Sequence, residues 1–155
     1  MMTQQQSKAV NPKIEICCRL DSTMLGLLRD FVTAVATHLG FSPTETSQIE
    51  ICVDEACANA LEHAYGKNAN LLDQNKELTI EIFFQNGELT IRVIDHGCGI
   101  KDPQTAISSL DDYLAAGREK YRGLGLYMMK QFMDRLVVHS EPGKGTIVEM
   151  TKVRR

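Results

Sequence analysis

Several things are missing from this 155-residue sequence, and each absence narrows what it can do. No apolar run approaches the ~20 residues that a membrane helix needs. The polar N-terminus MMTQQQSKAVNP also lacks the apolar centre of a signal peptide, so a cytoplasmic protein is expected. Charge of one sign is lacking too. The net charge is -3, whereas a binder of phosphate backbones would show a basic face, so nucleic-acid binding is not expected. The five cysteines, Cys17, Cys18, Cys52, Cys57 and Cys98, contain no CxxC pair, and their odd number argues against a closed disulfide framework. Reduced thiols are the better reading, with Cys52 and Cys57 acting as small hydrophobes on a helix. No GxxxxGK[ST] occurs anywhere, which sets aside phosphate binding of the P-loop type.

What is present is ordinary globular composition, 43% hydrophobic and 24% charged, in a chain of single-domain size. Residues 1–12 have little to bury and read as a disordered tail, with the domain spanning 13–155. Ile14, Ile16, Cys18 and Leu20 alternate with polar residues, the period of a strand with one face on a core. From Ser22 to Leu39 the apolar residues recur at three and four, as on an amphipathic helix, and Gly40 supplies a stop. Ser42-Pro43-Thr44-Glu45 reads as a capping box opening a second helix that runs to about Tyr65. Two alternating segments around QNGE predict a hairpin, and EPGKG joins a last pair of strands. Between them, RGLGLYMMKQFMDRL opens on glycines and continues with helical periodicity. The sum is an α+β fold: a two-layer α/β sandwich with a mixed, mostly antiparallel sheet of about five strands, covered on one face by three helices.

Three segments carry candidate chemistry. In DEACANALEHAY, Glu55, Asn59 and His63 recur at steps of four, each step rotating by only ~40° around a helix, so the three share one side. A carboxylate there can take a proton and an amide oxygen can ligate a hard cation, although a solvated polar stripe has the same spacing. DHGCGI places Asp95 at a strand end before Gly97, Gly99 and Ile100, offering an acceptor for an amino group beside backbone free of bulk. RGLGL, made of Arg122, Gly123, Leu124, Gly125 and Leu126, opens a helix whose backbone N–H groups suit an anion. It is not the dinucleotide fingerprint, because the third glycine is missing.

Taken in order, with GKGT before the last strand, these segments resemble the N, G1 and G2 boxes of the GHKL ATPases, the Bergerat-fold superfamily. Within that group, DEACANALEHAY, GLGLYMMKQFMD and EPGKGTIVEM are similar to the anti-sigma factor serine kinases of bacterial partner switching. The resemblance implies ATP and Mg2+ as cofactors, Glu55 as general base, Asn59 as the magnesium ligand and Asp95 as the acceptor for the adenine amino group. It further implies that Gly97, Gly99 and Ile100 shape the nucleotide pocket, that Arg122 to Leu126 lie at the phosphates, and that Thr146 sits near the adenine. Residues 102–122 would form the ATP lid. His63 fits the end of the N box, with a structural hydrogen bond as its implied role.

The resemblance also implies partners: a STAS-type anti-sigma factor antagonist as substrate, a sigma factor or other regulator as the alternative partner, and a second copy in a homodimer. A serine/threonine-protein kinase is the main expectation. A nucleotide-dependent module that sequesters a partner without phosphotransfer stays open beside it. The catalytic domain of a histidine kinase fits less well, since no phosphoacceptor hairpin precedes Lys13.

Overall fold

The computed structural model describes residues 13–64, 76–97 and 122–155. The predicted tail, the loop after Gly66 and most of the predicted lid therefore lie outside the described residues. Strand β1 (Ile14–Arg19) leads into helix α1 (Ser22–His38) and helix α2 (Pro43–Asn59), which continues as a π-helical turn over Ala60–Ala64. Strands β2 (Glu77–Gln85) and β3 (Glu88–Asp95) form the hairpin. Helix α3 (Arg122–Phe132) and strands β4 (Arg135–Glu141) and β5 (Gly145–Val153) complete the described chain.

Local chemistry explains the boundaries. Asp21 caps α1 by accepting the Met24 N–H at 2.8 Å, one residue ahead of the predicted start. Ser42 accepts the Glu45 N–H while the Glu45 carboxylate accepts the Ser42 N–H, so the capping box foreseen in the sequence is complete. In the QNGE turn, Asn86 and Gly87 both take positive φ, as a two-residue hairpin with right-twisted strands requires.

The sheet order is β1-β2-β3-β5-β4 and every pairing is antiparallel. Its inner face carries Leu78, Ile80, Ile82, Leu89, Ile91, Val93, Val148 and Met150, all buried against the helices. From α2 come Ile49, Cys52, Val53, Ala56 and Cys57, and from α3 Leu126 and Met129. Helix α2 is the central helix, packed against α1 on one side and α3 on the other. Burial pushes the Cys52 and Cys57 thiols up to about 12, so both behave as the inert core hydrophobes read from the sequence. Among the described residues no helix is long and apolar enough to cross a membrane.

Two charged residues are buried at the end of this core away from Asp95. Lys152, 4% exposed, donates to Gln48 on α2 at 2.7 Å and to the Phe132 carbonyl that ends α3 at 2.6 Å. The cation thus sits at a helix C-terminus, where the macrodipole favours it, and ties β5 to both helices. Glu45 accepts the Ser42 and Arg155 backbone N–H groups. These bonds hold its carboxyl below the ordinary range.

Asp134 is also held low: burial acts to raise it, but the Val153 N–H and the Arg155 guanidinium outweigh that. A carboxylate with a lowered folded pKa contributes stability above its unfolded value and loses it as pH falls through the folded value. Acid unfolding should therefore continue to deepen below the ordinary carboxylate range. Replacing Ser42 by Ala removes one half of the capping box and should lower the unfolding free energy by about 1 kcal/mol in urea titrations. A change within error would show that the cap contributes nothing net.

Candidate functional site

Helix periodicity aims Glu55 and Asn59 at the same place. Four residues apart on α2, both are partly exposed, while Cys52, Val53, Ala56 and Cys57 point into the core. What they face is the first turn of α3. A Cβ built on Gly125 would fall 2.7 Å from Glu55 Oε2 and 3.4 Å from Asn59 Nδ2, so any side chain here would push the Glu55 carboxylate aside. The sequence pairing of an ExxxN helix with a GxG-opened helix is therefore realised as a direct contact. Burial raises the Glu55 pKa above the ordinary glutamate range, and the negative charges of Asp54 and Glu62 raise it further. Such a carboxylate holds a proton more tightly than a free one does, the property wanted of a base.

The second half of the site lies at the end of the sheet. Asp95 closes β3, is 8% exposed and accepts the Gly97 N–H through Oδ1 at 3.0 Å. Burial raises its pKa, while backbone hydrogen bonds from Gly97 and Thr146 and the nearby His96 act in the opposite direction. Across the ladder Asp95 pairs with Thr146 of β5, and Thr146 pairs with Ser140 of β4. Alternation puts all three on the helix-covered face, so the apolar rows of the core end in one polar row.

Gly145 makes the tight approach possible. Its φ is +105°, and a Cβ there would lie 2.1 Å from the Asp95 carbonyl oxygen, with the Asp95 carbonyl carbon and His96 Cα also inside contact distance.

Structure and sequence can be compared residue by residue. Glu55, Asn59 and Gly125 come together, Asp95, Gly97 and Thr146 come together, and Leu126 is buried one position after the helix contact. Gly99, Ile100 and residues 102–121 lie outside the described residues, as do the side chains of His63, Arg122 and Leu124. Arg122 and Gly123 open α3 in backbone. Sequence reasoning missed Ser140 and the role of Gly145. The strand alternation through Leu136, Val138 and Ser140 was the signal that could have found the first.

An antiparallel sheet with this strand order, turning polar at one end beneath a glycine-opened helix, is the architecture of the GHKL nucleotide-binding domains. Residues 18–152 match the histidine kinase-like ATPase domain, and the chain belongs to that family. It is 38% identical over 124 residues to an anti-sigma F factor of Caldanaerobacter subterraneus subsp. tengcongensis, covering 80% of this chain and 81% of that protein. It is also 31% identical over 130 residues to the serine-protein kinase RsbW of Bacillus licheniformis, covering 83% and 77% of the two chains.

Two solved structures share the fold. The SiaB-SiaC complex of Pseudomonas aeruginosa matches at a TM-score of 0.65 and 14% identity, over 92% of this chain and 89% of that one. The histidine kinase domain of a blue-light activated histidine kinase of Erythrobacter litoralis matches at 0.55 and 20% identity, over 84% of this chain and 61% of that one.

The two close glycine contacts differ in kind, and substitution should separate them. Gly125→Ala meets the movable end of a side chain, so the protein should fold with little loss while ATP affinity falls. Gly145→Ala meets backbone at a positive φ, and should cost about 2–3 kcal/mol of stability. Thermal unfolding of both variants, with ATP titration of the first, checks the pair; equal stability losses would contradict it.

Proposed function

We propose that this chain is an ATP-dependent serine/threonine-protein kinase and anti-sigma factor of a bacterial partner-switching system. It phosphorylates a STAS-type anti-sigma factor antagonist and sequesters a sigma factor or another regulator. The observation that carries the reading is the convergence of Glu55 and Asn59 on Gly125. The names of its relatives, an anti-sigma F factor and a serine-protein kinase, support it.

The residues present fit ATP. A bare glycine backbone lies against Glu55 and Asn59, and a buried carboxylate stands at the sheet end where an amino-bearing base would complete its hydrogen bonds. ATP bound here supplies the activated phosphoryl group, and Mg2+ offsets its charge. Asp95 would accept from the base amino group beside Thr146, with Gly97 adjoining it. The free backbone N–H groups of Arg122, Gly123 and Leu124 in the opening turn of α3 would hold phosphate oxygens, with Gly125 and Leu126 continuing the helix behind them. Asn59 would hold the metal through its amide oxygen. Among the described residues no group of three or more His, Cys, Asp or Glu side chains is placed to hold a metal ion. Glu55 takes the proton of the attacking serine or threonine hydroxyl, the one covalent task left to the protein.

The surface for a second copy is the flank of α1. Arg29 reaches toward Glu50 and Asp54 on α2, and β1 is the edge strand of the sheet. Leu27 and Phe31, 58% and 40% exposed, lie one turn apart away from α2. The exposed apolar flank beside an open strand edge suits a two-fold homodimer. Phe31→Glu should shift the protein to monomer in light scattering at concentrations where the parent is dimeric.

Incubation with labelled ATP and a STAS-type antagonist should label that protein on serine or threonine. Tight complex formation without transfer would instead leave a purely sequestering module. Glu55→Ala should abolish transfer and leave ATP affinity within about threefold. Because the Glu55 pKa is raised and the base works only when ionised, kcat should fall as pH drops through a value above that of an ordinary glutamate. A flat rate across that range would remove Glu55 from the role.

A further inference from the structure

We propose that Lys152 is a positioning residue for phosphotransfer: by joining the end of α3 to Gln48 it holds the two helices at the spacing that sets the opening turn of α3 before Glu55. The inference rests on the kinase reading above. Lys152 is the only buried lysine or arginine among the described residues, and the chemistry of the site makes no direct use of it.

The first ground is spacing. Gln48 and Glu55 are seven residues apart on α2, and Gly125 and Phe132 are seven apart on α3. Seven residues are nearly two whole turns, so each pair lies on one stripe of its helix, its members ~10 Å apart along the axis. Lys152 brings Gln48 to Phe132, and the bare backbone of Gly125 meets Glu55. The two junctions are therefore opposite ends of one antiparallel seam. Cys52 and Met129, both fully buried, fall between them along the two helices.

The second ground is what holds each end. Gly125 offers no side chain, so the junction at Glu55 cannot fix its own width. Cys52 and Met129 supply a short and a flexible side chain, a filling that yields to small shifts. At the far end the Asp134 N–H donates to the Thr151 carbonyl at 2.9 Å, which ties the end of α3 to β5 but not to α2. The Lys152 ammonium makes that link, through bonds of 2.7 Å and 2.6 Å that its charge keeps short and directional. Met129 is four residues from Gly125 and three from Phe132, so a helix swinging about it moves its two ends by similar amounts. A misplacement of about 1 Å at reacting groups can cost on the order of a hundredfold in rate. Asp95 and Thr146 belong to the sheet and lie off this lever, so nucleotide binding should outlast a loss of spacing that transfer does not.

The test is Gln48→Leu, which removes the α2 bond from a half-buried position and leaves Lys152 its carbonyl partner. With ATP and a STAS-type antagonist, kcat should fall about three- to tenfold while the calorimetric Kd for ATP stays within about twofold. Lys152→Met, which keeps the length of the side chain without its charge, should lower kcat at least as far. Combining the two substitutions should add little, because both break one link. In the nucleotide-free protein, amide exchange should quicken along α3 in Gln48→Leu and hold in β2 and β3. Asp21→Ala, which removes the cap of α1 far from the seam, should lose stability and keep the parent kcat.

A parent kcat in Gln48→Leu overturns the proposal, and so does an equal fall in Asp21→Ala, which would make the effect one of stability alone. The parent protein separates this failure from that of the underlying reading. If it labels the antagonist and Gln48→Leu labels it equally well, only the role of Lys152 is lost. If the parent transfers no phosphate, the kinase reading fails and the positioning role falls with it.

Discussion

The contact of a bare backbone on α3 with the Glu55 carboxylate and the Asn59 amide of α2 is the constraint on which the rest of the site depends. Any side chain at Gly125 would occupy the space those two groups point into. The approach has to be held from elsewhere, because a glycine contributes almost nothing by way of packing. Leu126 and Met129 supply the apolar grip on the core face of α3. At the far end of the helix, Lys152 joins the Phe132 carbonyl to Gln48 of α2, fixing the same two helices relative to each other. One helix pair is thus pinned by an ionic hydrogen bond at one end and left open for chemistry at the other.

Electrostatics divides four carboxyl groups in the same way. Glu45 and Asp134, at the pinned end, are satisfied by backbone N–H groups and by Arg155, and are held below their usual range. Glu55 and Asp95, at the open end, are pushed above theirs chiefly by burial. The first pair stabilises the folded state at neutral pH. The second opposes it there, because each must be ionised in surroundings that favour the neutral form, and that opposition fades as pH falls through the raised folded values. A fold that only had to be stable would have no reason to keep the second pair.

Much of this was legible in the sequence, for identifiable reasons. The capping box at Ser42 and Glu45, the Asn86-Gly87 turn and the alternating strands rest on local chemistry, which a short window contains in full. The meeting of Glu55 and Asn59 with Gly125 is a long-range contact, yet it followed from motif order, because each partner carried its own signature. Other features carried none. The π-helical turn at Ala60–Ala64 breaks a helix that was expected to run smoothly to Tyr65, and no glycine or proline marks the place. The burial of Lys152 needs the ends of two helices to converge on one strand. Ser140 looked like one more polar residue near a turn until register put it beside Thr146.

Register also fits the proposed ligand site to this end of the sheet. Along β3 the inward residues are Leu89, Ile91 and Val93, all at most 1% exposed, and then Asp95. Along β5 they are Val148 and Met150 flanked by Thr146 and Lys152. The row at Lys152 is closed, since its cation finds an amide and a carbonyl within the protein. At Asp95 a buried carboxylate accepts the Gly97 N–H and a buried hydroxyl meets Ser140, beside a helix end whose N–H groups also want an acceptor. Buried polar groups persist at a core boundary when something completes them. A molecule with an amino-bearing base at one end and anionic oxygens at the other would satisfy the sheet row and the helix terminus together, which neither set of groups can do for the other.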